Sequence, residues 1–209
     1  MFNFWKPQRP LRHRRGRITF SVEYCDITEV PADVLVSSDD NEFTMSGGVS
    51  KAIRTAGGEE VYRAAGSHAP ASLGAVVITT AGNMRPRTEW IFHCAVMDFR
   101  KRDYANRQVV SDVTRECLKK ADKLGAQSIA FPALGTGDGR LSFIQSAAGM
   151  MDAVVDYFSG GPALDSITIA LKRRAGVKNR DLDAFYRQVK ARVVDSTDTR
   201  RFRDHGGVQ

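Results

Sequence analysis

The chain has 209 residues, of which 42% are apolar and 26% are charged, and its formal net charge is +7. This length suits one well-filled core, and no apolar run approaches the roughly 20 residues needed to cross a bilayer. Three cysteines without a CxxC pair argue against a disulfide framework and against structural zinc. They favour a reducing, cytoplasmic compartment, and a monomer is the default expectation.

The positive charge is concentrated at the two ends of the chain. Residues 6–17 contain six Lys and Arg and no acid, and residues 172–209 contain eleven bases against five acids. We therefore expect an acidic body, with 14 Lys and Arg against 19 Asp and Glu over residues 18–171, between two basic ends. The predicted organisation is a basic arm (1–16), one folded domain (17–194) and a polar tail (195–209) that is predicted to be disordered. Such ends favour weak, non-specific contact with nucleic acid over sequence recognition.

Strand and helix patterns alternate along the body. Short apolar or alternating runs predict six strands, at residues 17–25, 33–38, 75–81, 90–96, 128–134 and 166–172. Apolar residues at helical spacing predict four helices, at residues 49–56, 105–124, 142–159 and 181–194. This alternation predicts a three-layer α/β/α sandwich around a mixed, mostly parallel sheet. His93, Cys94 and Cys117 are expected in its core.

Three loops follow predicted strands at the edge where open α/β sheets bind ligands. Asp26 ends the first strand, and it is either a turn cap or an acceptor for the amino group of a base. Glycine loops at 46–48 and 134–139 lead into helices, so their backbone N–H groups suit a diphosphate, although each alone is also typical of a tight turn. Neither loop has a Walker or GxGxxG pattern, which disfavours a nicotinamide cofactor.

Five segments together carry a family resemblance: CDITEVPADVLVSS, SGGVSKAI, LGAVVITTAG, WIFHCAV and SIAFPALGTGDG. In this order and spacing they resemble the macrodomain family, whose fold binds ADP-ribose, over most of residues 17–172. The resemblance implies that Asp26 holds the adenine amino group and that Ile27 lies beside the base. It implies two phosphate loops, the first at Ser46, Gly47, Gly48 and Val49 and the second at Gly135, Thr136 and Gly137, with Gly139 and Arg140 in the same ligand-binding set.

The chain departs from the family pattern at three points. The family's NAAN segment aligns with Ser37-Ser38-Asp39-Asp40, so that Asp40 replaces the last asparagine, which contacts the distal ribose. Asp138-Gly139-Arg140 stands where an aromatic residue often follows the second loop. The aromatic residue that often stacks on the adenine falls near Lys172 or Arg173.

Asp40 and Asp138 are the candidate catalytic residues. A carboxylate near the anomeric carbon stabilises an oxocarbenium-like transition state or deprotonates a water, and neither step requires a metal or a cofactor. The loops are also similar to the terminal ADP-ribose–glutamate hydrolase branch of the family, whose catalytic lysine lies where this chain has Lys51 and Arg54. Asp40 is equally well explained as part of a polar turn with its neighbours.

Three functions stay open at this point. The first is binding of ADP-ribose, or of a protein or nucleic acid that carries it, with hydrolysis of the ADP-ribosyl linkage. The second is a non-catalytic reader of the same ligand. The third is a nucleic-acid-binding macrodomain that uses its basic termini.

Overall fold

The computed structural model describes residues 10–173 and 177–195. The predicted tail beyond residue 195 and the first nine residues of the predicted arm lie outside these ranges. The described chain contains one sheet, with strands β1 Leu11–Arg15, β2 Ile18–Glu23, β3 Val34–Asp40, β4 Val76–Thr80, β5 Trp90–Asp98, β6 Asp103–Tyr104, β7 Ser128–Pro132 and β8 Ser166–Ala170. Its helices are α1 Gly48–Gly57, α2 Glu59–Gly66, α3 Arg107–Lys123, α4 Phe143–Ser159 and α5 Asn179–Lys190, followed by a π-helical turn Ala191–Asp195.

The sheet is mixed and mostly parallel, in the order β1-β2-β8-β7-β3-β5-β4, with β6 paired to the end of β5. Strands β2, β8, β7, β3 and β5 run parallel, and β1 and β4 are antiparallel edges. Side chains such as Phe20 and Val36 pack under α3, α4 and α5, whereas Leu35 and Ile91 pack on the other face under α1 and α2. The predicted three-layer sandwich is confirmed.

All six predicted strands and all four predicted helices are present, with ends that differ by a few residues. Strand β1 was not predicted, because its alternation is carried by basic residues: Arg12 and Arg14 are exposed, whereas Arg15 lies over the Phe158 ring, 5.4 Å from its centroid. Helix α2 was also missed, since the chain turns at Gly58, at φ +89°, and immediately starts a second helix. No helix within the described ranges is long and apolar enough to span a bilayer.

A side-chain clamp fixes the start of β3 against the start of β7. One carboxylate oxygen of Asp33 accepts from the backbone N–H of Gln127 at 2.7 Å and of Ser128 at 3.0 Å. The Asp33 N–H donates in return to the Ser128 hydroxyl, at 2.8 Å. The two strands then pair only at Val34 with Ile129 and at Leu35 with Ala130. No further residues of the described strands β3 and β7 pair, and residues at both carboxyl ends, among them Ser38 and Pro132, line a cleft.

The predicted core residues are confirmed as such. His93 is fully buried, with Nε2 3.0 Å from the Thr79 hydroxyl and Nδ1 3.2 Å from a carboxylate oxygen of Asp39. The Sγ atoms of Cys94 and Cys117 lie 3.5 Å apart in the core. Burial raises the pKa of the Cys94 thiol well above its ordinary value, so this sulfur stays protonated and unreactive.

The Asp39–His93 contact gives a stability prediction. Replacing His93 by Leu leaves the buried Asp39 carboxylate without its imidazole partner, and we expect the free energy of unfolding to fall by about 3 kcal/mol, measured by urea denaturation. The double variant H93L/D39N removes the orphaned charge and should recover a large part of this loss. A loss below about 0.5 kcal/mol for H93L would show that the pair does not stabilise the fold.

Candidate functional site

A cleft of about 1150 Å³, its open mouth included, lies at the carboxyl ends of the parallel strands. Eleven of the thirteen predicted site residues line it: Asp26, Ile27, Asp40, Ser46, Gly47, Gly48, Val49, Thr136, Gly137, Asp138 and Gly139. The cleft occupies the gap that β3 and β7 leave after their two residue pairs. The topology therefore brings together residues that are as far apart in sequence as Asp26 and Lys172, which are separated by 146 positions.

Asp26 defines one end of the cleft. It caps a short 3-10 turn, because Oδ1 accepts from the Thr28 N–H at 3.1 Å and from the Thr28 hydroxyl at 3.0 Å. The other oxygen, Oδ2, accepts from the ammonium of Lys172, which follows β8. The turn-cap interpretation of Asp26 is therefore confirmed, while one lone pair of Oδ2 stays available to a ligand.

The charges at this end favour an ionised carboxylate. Partial burial raises the pKa of Asp26, but hydrogen bonds from Lys172 and Thr28 outweigh it and hold the pKa below its usual range. The same contact raises the pKa of Lys172. Burial, with nearby Glu23, Glu29 and Asp26, raises the pKa of the preceding Cys25 thiol to about 11, so Cys25 is not a nucleophile here.

The first glycine loop ends at the start of α1. Gly47 is the N-cap, with an extended backbone at φ −148°, and no side chain in the described chain caps the helix. Gly48 follows at φ +56°, a conformation that favours glycine. The first-turn N–H groups of α1 have no intrahelical partner, and the residues that carry them line the cleft. The loop therefore offers N–H donors and the positive end of a helix dipole to an anion.

The second glycine loop is closed by contacts among its own backbone atoms. The Leu141 N–H donates to the Gly135 carbonyl at 3.0 Å, and a Cβ on Gly139 would lie 2.7 Å from the same carbonyl oxygen. Gly135 is buried at φ +73° and is not among the residues that line the cleft. Arg140 also lies outside the cleft, because its guanidinium sits 5.2 Å from the centroid of the Tyr104 ring.

The two loops face each other across the cleft. A Cβ built on Gly47 would lie 3.7 Å from Oδ2 of Asp138. Asp138 is exposed, and its carboxylate makes no hydrogen bond or ion pair within the described ranges. This is the narrow part of the cleft, with N–H donors on one side and a free carboxylate on the other.

Asp40 lies deeper in the cleft, and its carboxylate stabilises the turn that follows β3. It is 6% exposed, and Oδ1 accepts from the N–H groups of Glu42 at 2.9 Å and Thr44 at 3.3 Å. Its Oδ2 accepts from the Thr44 hydroxyl. The polar-turn interpretation of Asp40 is thus confirmed. Lys51 and Arg54, which the hydrolase branch would place at the site, line a separate shallow depression on the far side of the first loop instead.

Twelve lining residues were not predicted as site residues, among them Ser38, Phe99 and Lys172. Lys172 follows β8, and β8 pairs with β2 so that Glu23 lies beside Ala170. Because Asp26 follows β2, the strand order brings this lysine to the aspartate. Their positions just beyond predicted parallel strands were the sequence signal that could have identified these residues. The described chain has no group of three or more His, Cys, Asp or Glu side chains placed to hold a metal.

Comparison with known proteins identifies the family. Residues 36–150, more than half of the chain, match the model of the Macro domain. The chain belongs to the macrodomain family.

Several relatives and solved structures are similar to it. The chain is 34% identical to an uncharacterized protein of Mycobacterium tuberculosis over 137 residues, which cover 66% of this chain and 37% of the relative. It is 33% identical to the human protein mono-ADP-ribosyltransferase PARP14 over 181 residues, which cover 85% of this chain and 9% of that protein. It is 34% identical to the O-acetyl-ADP-ribose deacetylase of Escherichia fergusonii over 116 residues, which cover 54% and 64%.

Among solved structures, the macrodomain of Oceanobacillus iheyensis with ADP superposes with a TM-score of 0.73 at 19% identity, covering 87% of this chain and 95% of that one. The Trypanosoma brucei macrodomain in complex with ADP-ribose superposes with a TM-score of 0.68 at 17% identity, covering 81% and 68%. These likenesses show the fold. The chain spans little more than a third of the length of the mycobacterial relatives that it matches.

The Asp26–Lys172 contact gives a titration prediction. Replacing Lys172 by Met removes the cation, so the pKa of Asp26 should rise, as measured by a carboxyl-carbon NMR titration. A lowered folded-state pKa stabilises the fold above the unfolded value of about 3.9, and this contribution is lost as the pH falls through the folded pKa. K172M should therefore melt below wild type at neutral pH, and the difference should narrow below about pH 4.

The matched control is Arg173→Met, which removes the neighbouring exposed cation and should leave the Asp26 titration in place. An unchanged pKa of Asp26 in K172M would mean that the ion pair does not form in solution.

Proposed function

We propose that the cleft binds ADP-ribose. The adenine lies at the end marked by Asp26 and Ile27, the diphosphate lies between the two glycine loops, and the distal ribose lies toward Asp40. In this orientation Oδ2 of Asp26 accepts from the exocyclic amino group. The diphosphate receives N–H groups from the first turn of α1.

The observation that carries this proposal is the convergence of the two glycine loops across one cleft, with Gly47 opposite Asp138. A single glycine loop at a helix start is a common turn. Two such loops that face each other suit a diphosphate. The carboxylate of Asp26, which keeps one lone pair free, suits the amino group of an adenine. The macrodomains of Oceanobacillus iheyensis and Trypanosoma brucei, solved with ADP and ADP-ribose, support the same ligand class.

A glycine substitution tests the binding site without disturbing the fold. Gly47→Val adds a branched side chain to an extended residue with no tight neighbour, so folding should be unaffected while the backbone can no longer approach a phosphate. We expect micromolar binding of ADP-ribose to the wild type and at least a tenfold loss in the variant, by calorimetric titration.

The matched control is Gly66→Val, because a Cβ there meets nothing within 4 Å. It should bind like the wild type, and AMP and NAD serve as ligand controls. Equal affinity of the G47V variant and the wild type would exclude the first loop as a phosphate site.

We propose further that the cleft hydrolyses the ADP-ribosyl linkage. Water attacks the anomeric carbon of the distal ribose, the bond from that carbon to the acceptor breaks, and the acceptor leaves with the bonding electrons and takes up a proton. Asp138 is the group that accepts the proton of the attacking water, because its carboxylate is free whereas that of Asp40 is held by the turn. The similarity to a deacetylase that acts on O-acetyl-ADP-ribose supports a hydrolytic role.

Asp138→Asn separates turnover from binding. The amide cannot accept the proton, so release of ADP-ribose from a glutamate-linked ADP-ribosyl peptide, followed by chromatography, should slow by about 10²- to 10⁴-fold. ADP-ribose affinity should be kept or improved, since a negative charge near the diphosphate is removed. Asp112→Asn, on the outer surface of α3, is the matched control.

Two outcomes would contradict the hydrolytic proposal. If the wild type binds the peptide but releases nothing, the protein is a reader. If D138N turns over at the wild-type rate, another group accepts the proton. Asp40→Ala is a poorer test, because it also removes the hydrogen bonds that hold residues 42–44.

A further inference from the structure

The turn between β5 and β6 is a cationic hairpin with an exposed aromatic ring. Asp98 pairs with Asp103 and Met97 pairs with Tyr104, so the four residues Phe99, Arg100, Lys101 and Arg102 form the tip. We call these four residues the hairpin tip. No element of the described chain buries it, because all four residues are exposed.

The hairpin tip presents its cations to solvent, and of the three nearby acids one, Asp98, is buried. The side chains of Arg100 and Lys101 are 78% and 82% exposed. Asp98 is buried, and its Oδ1 accepts a hydrogen bond from the Lys101 N–H at 3.0 Å. This carboxylate therefore stabilises the turn. Glu42 reaches Arg100 at 3.4 Å, and Asp103 is exposed at the base of the hairpin. The Lys101 ammonium also lies 3.9 Å from Oδ2 of Asp98, so Arg100 and Lys101 each take part in a surface ion pair. Both side chains nevertheless stay mostly exposed, as does Arg102, so an anion can reach all three cations.

The aromatic ring of the hairpin tip belongs to the cleft as well. Phe99 is 50% exposed, yet it lines the cleft together with Met97 and Asp40. Asp40 at the end of β3 is the register partner of Met97 on β5, so the hairpin tip begins two residues beyond the Asp40 level. In the proposed orientation of ADP-ribose, this is the end at which the group attached to the distal ribose leaves the cleft.

We propose that the hairpin tip binds a single-stranded nucleic acid, with Phe99 stacked on a base and Arg100, Lys101 and Arg102 on the phosphates. Its role as the acceptor of the ADP-ribose rests on the proposed function. An exposed ring beside several cations matches the two features of a single strand, an open base face and a charged backbone. An acidic peptide would form ion pairs with the cations but would not supply a base to stack on Phe99. A duplex would hide its base faces from Phe99.

The experiment uses the full chain and an unmodified oligonucleotide, so that it does not depend on ADP-ribose. A fluorescein-labelled 12-residue oligothymidylate is titrated with protein, and anisotropy is followed at several salt concentrations. F99A should bind about tenfold more weakly with an unchanged salt slope, because base stacking carries no counterion release. The variant R100A/K101A/R102N should bind more weakly, with its salt slope reduced by about 2, because three phosphate contacts are lost.

A matched control removes two cations and an exposed apolar side chain elsewhere. K119A/K123A/L124A, at the exposed end of α3, should leave the affinity within about twofold of the wild type, an outcome expected of surface changes away from a site. A labelled duplex of the same length should bind more weakly than the single strand to the wild type, and F99A should abolish that preference. Thermal melts of each variant confirm that it is folded.

The outcomes separate this inference from the proposed function. If the tip variants bind the oligonucleotide like the wild type, or if the single strand has no advantage over the duplex, the inference is wrong even where ADP-ribose binds. If the oligonucleotide binds through the tip but ADP-ribose does not bind at all, the proposed function fails and the strand is not an acceptor. R100A/K101A/R102N should retain the wild-type affinity for ADP-ribose, since none of its three residues lines the cleft.

Discussion

The Asp33 clamp and the short β3–β7 pairing are the constraint on which the cleft depends. The carboxylate of Asp33 joins the starts of the two strands, and only two residue pairs follow before the strands separate. A longer pairing would close the gap, and a free start would let the strands drift apart. Because both strands run parallel, their loops emerge on the same side. The cleft is thus the consequence of a sheet that is fixed at one end and split at the other.

The split explains why each end of the cleft has its own chemistry. At one end, β2 and β8 bring Asp26 and Lys172 into a single ion pair, so this end of the cleft is charged. At the other end, β3 and β5 deliver Asp40 and Phe99. A ligand that spans the cleft would contact the Asp26–Lys172 ion pair at one end, backbone N–H donors in the middle, and the apolar ring of Phe99 at the other end.

Hydrophobic periodicity and glycine-rich turns were enough to predict the strands and loops that they mark. They were not enough where the structure depends on pairing between distant segments. The apolar runs at 33–38 and 128–134 predicted β3 and β7, and both predicted glycine loops line the cleft. Strand β1 was hidden because its inward positions include His13 and Arg15, whose side chains are not apolar. Gly135 and Arg140, which were expected to bind the ligand, adopt left-handed conformations and do not line the cleft, and residue spacing alone does not predict such conformations.

The two other carboxylates that line the cleft, Asp40 and Asp138, differ in how far the fold constrains them. A buried carboxylate must be satisfied, and Asp40 is, by two backbone N–H groups and a hydroxyl from the turn that it organises. It therefore fixes the path of the chain into the first glycine loop, and displacing it would also displace the first-turn N–H groups of α1. Asp138 does not hold a turn in this way, because it is exposed on a loop whose shape is set by Gly135 and Gly139. A proton acceptor has to change its hydrogen bonds during a reaction, and only the unconstrained carboxylate can do so without disturbing the site.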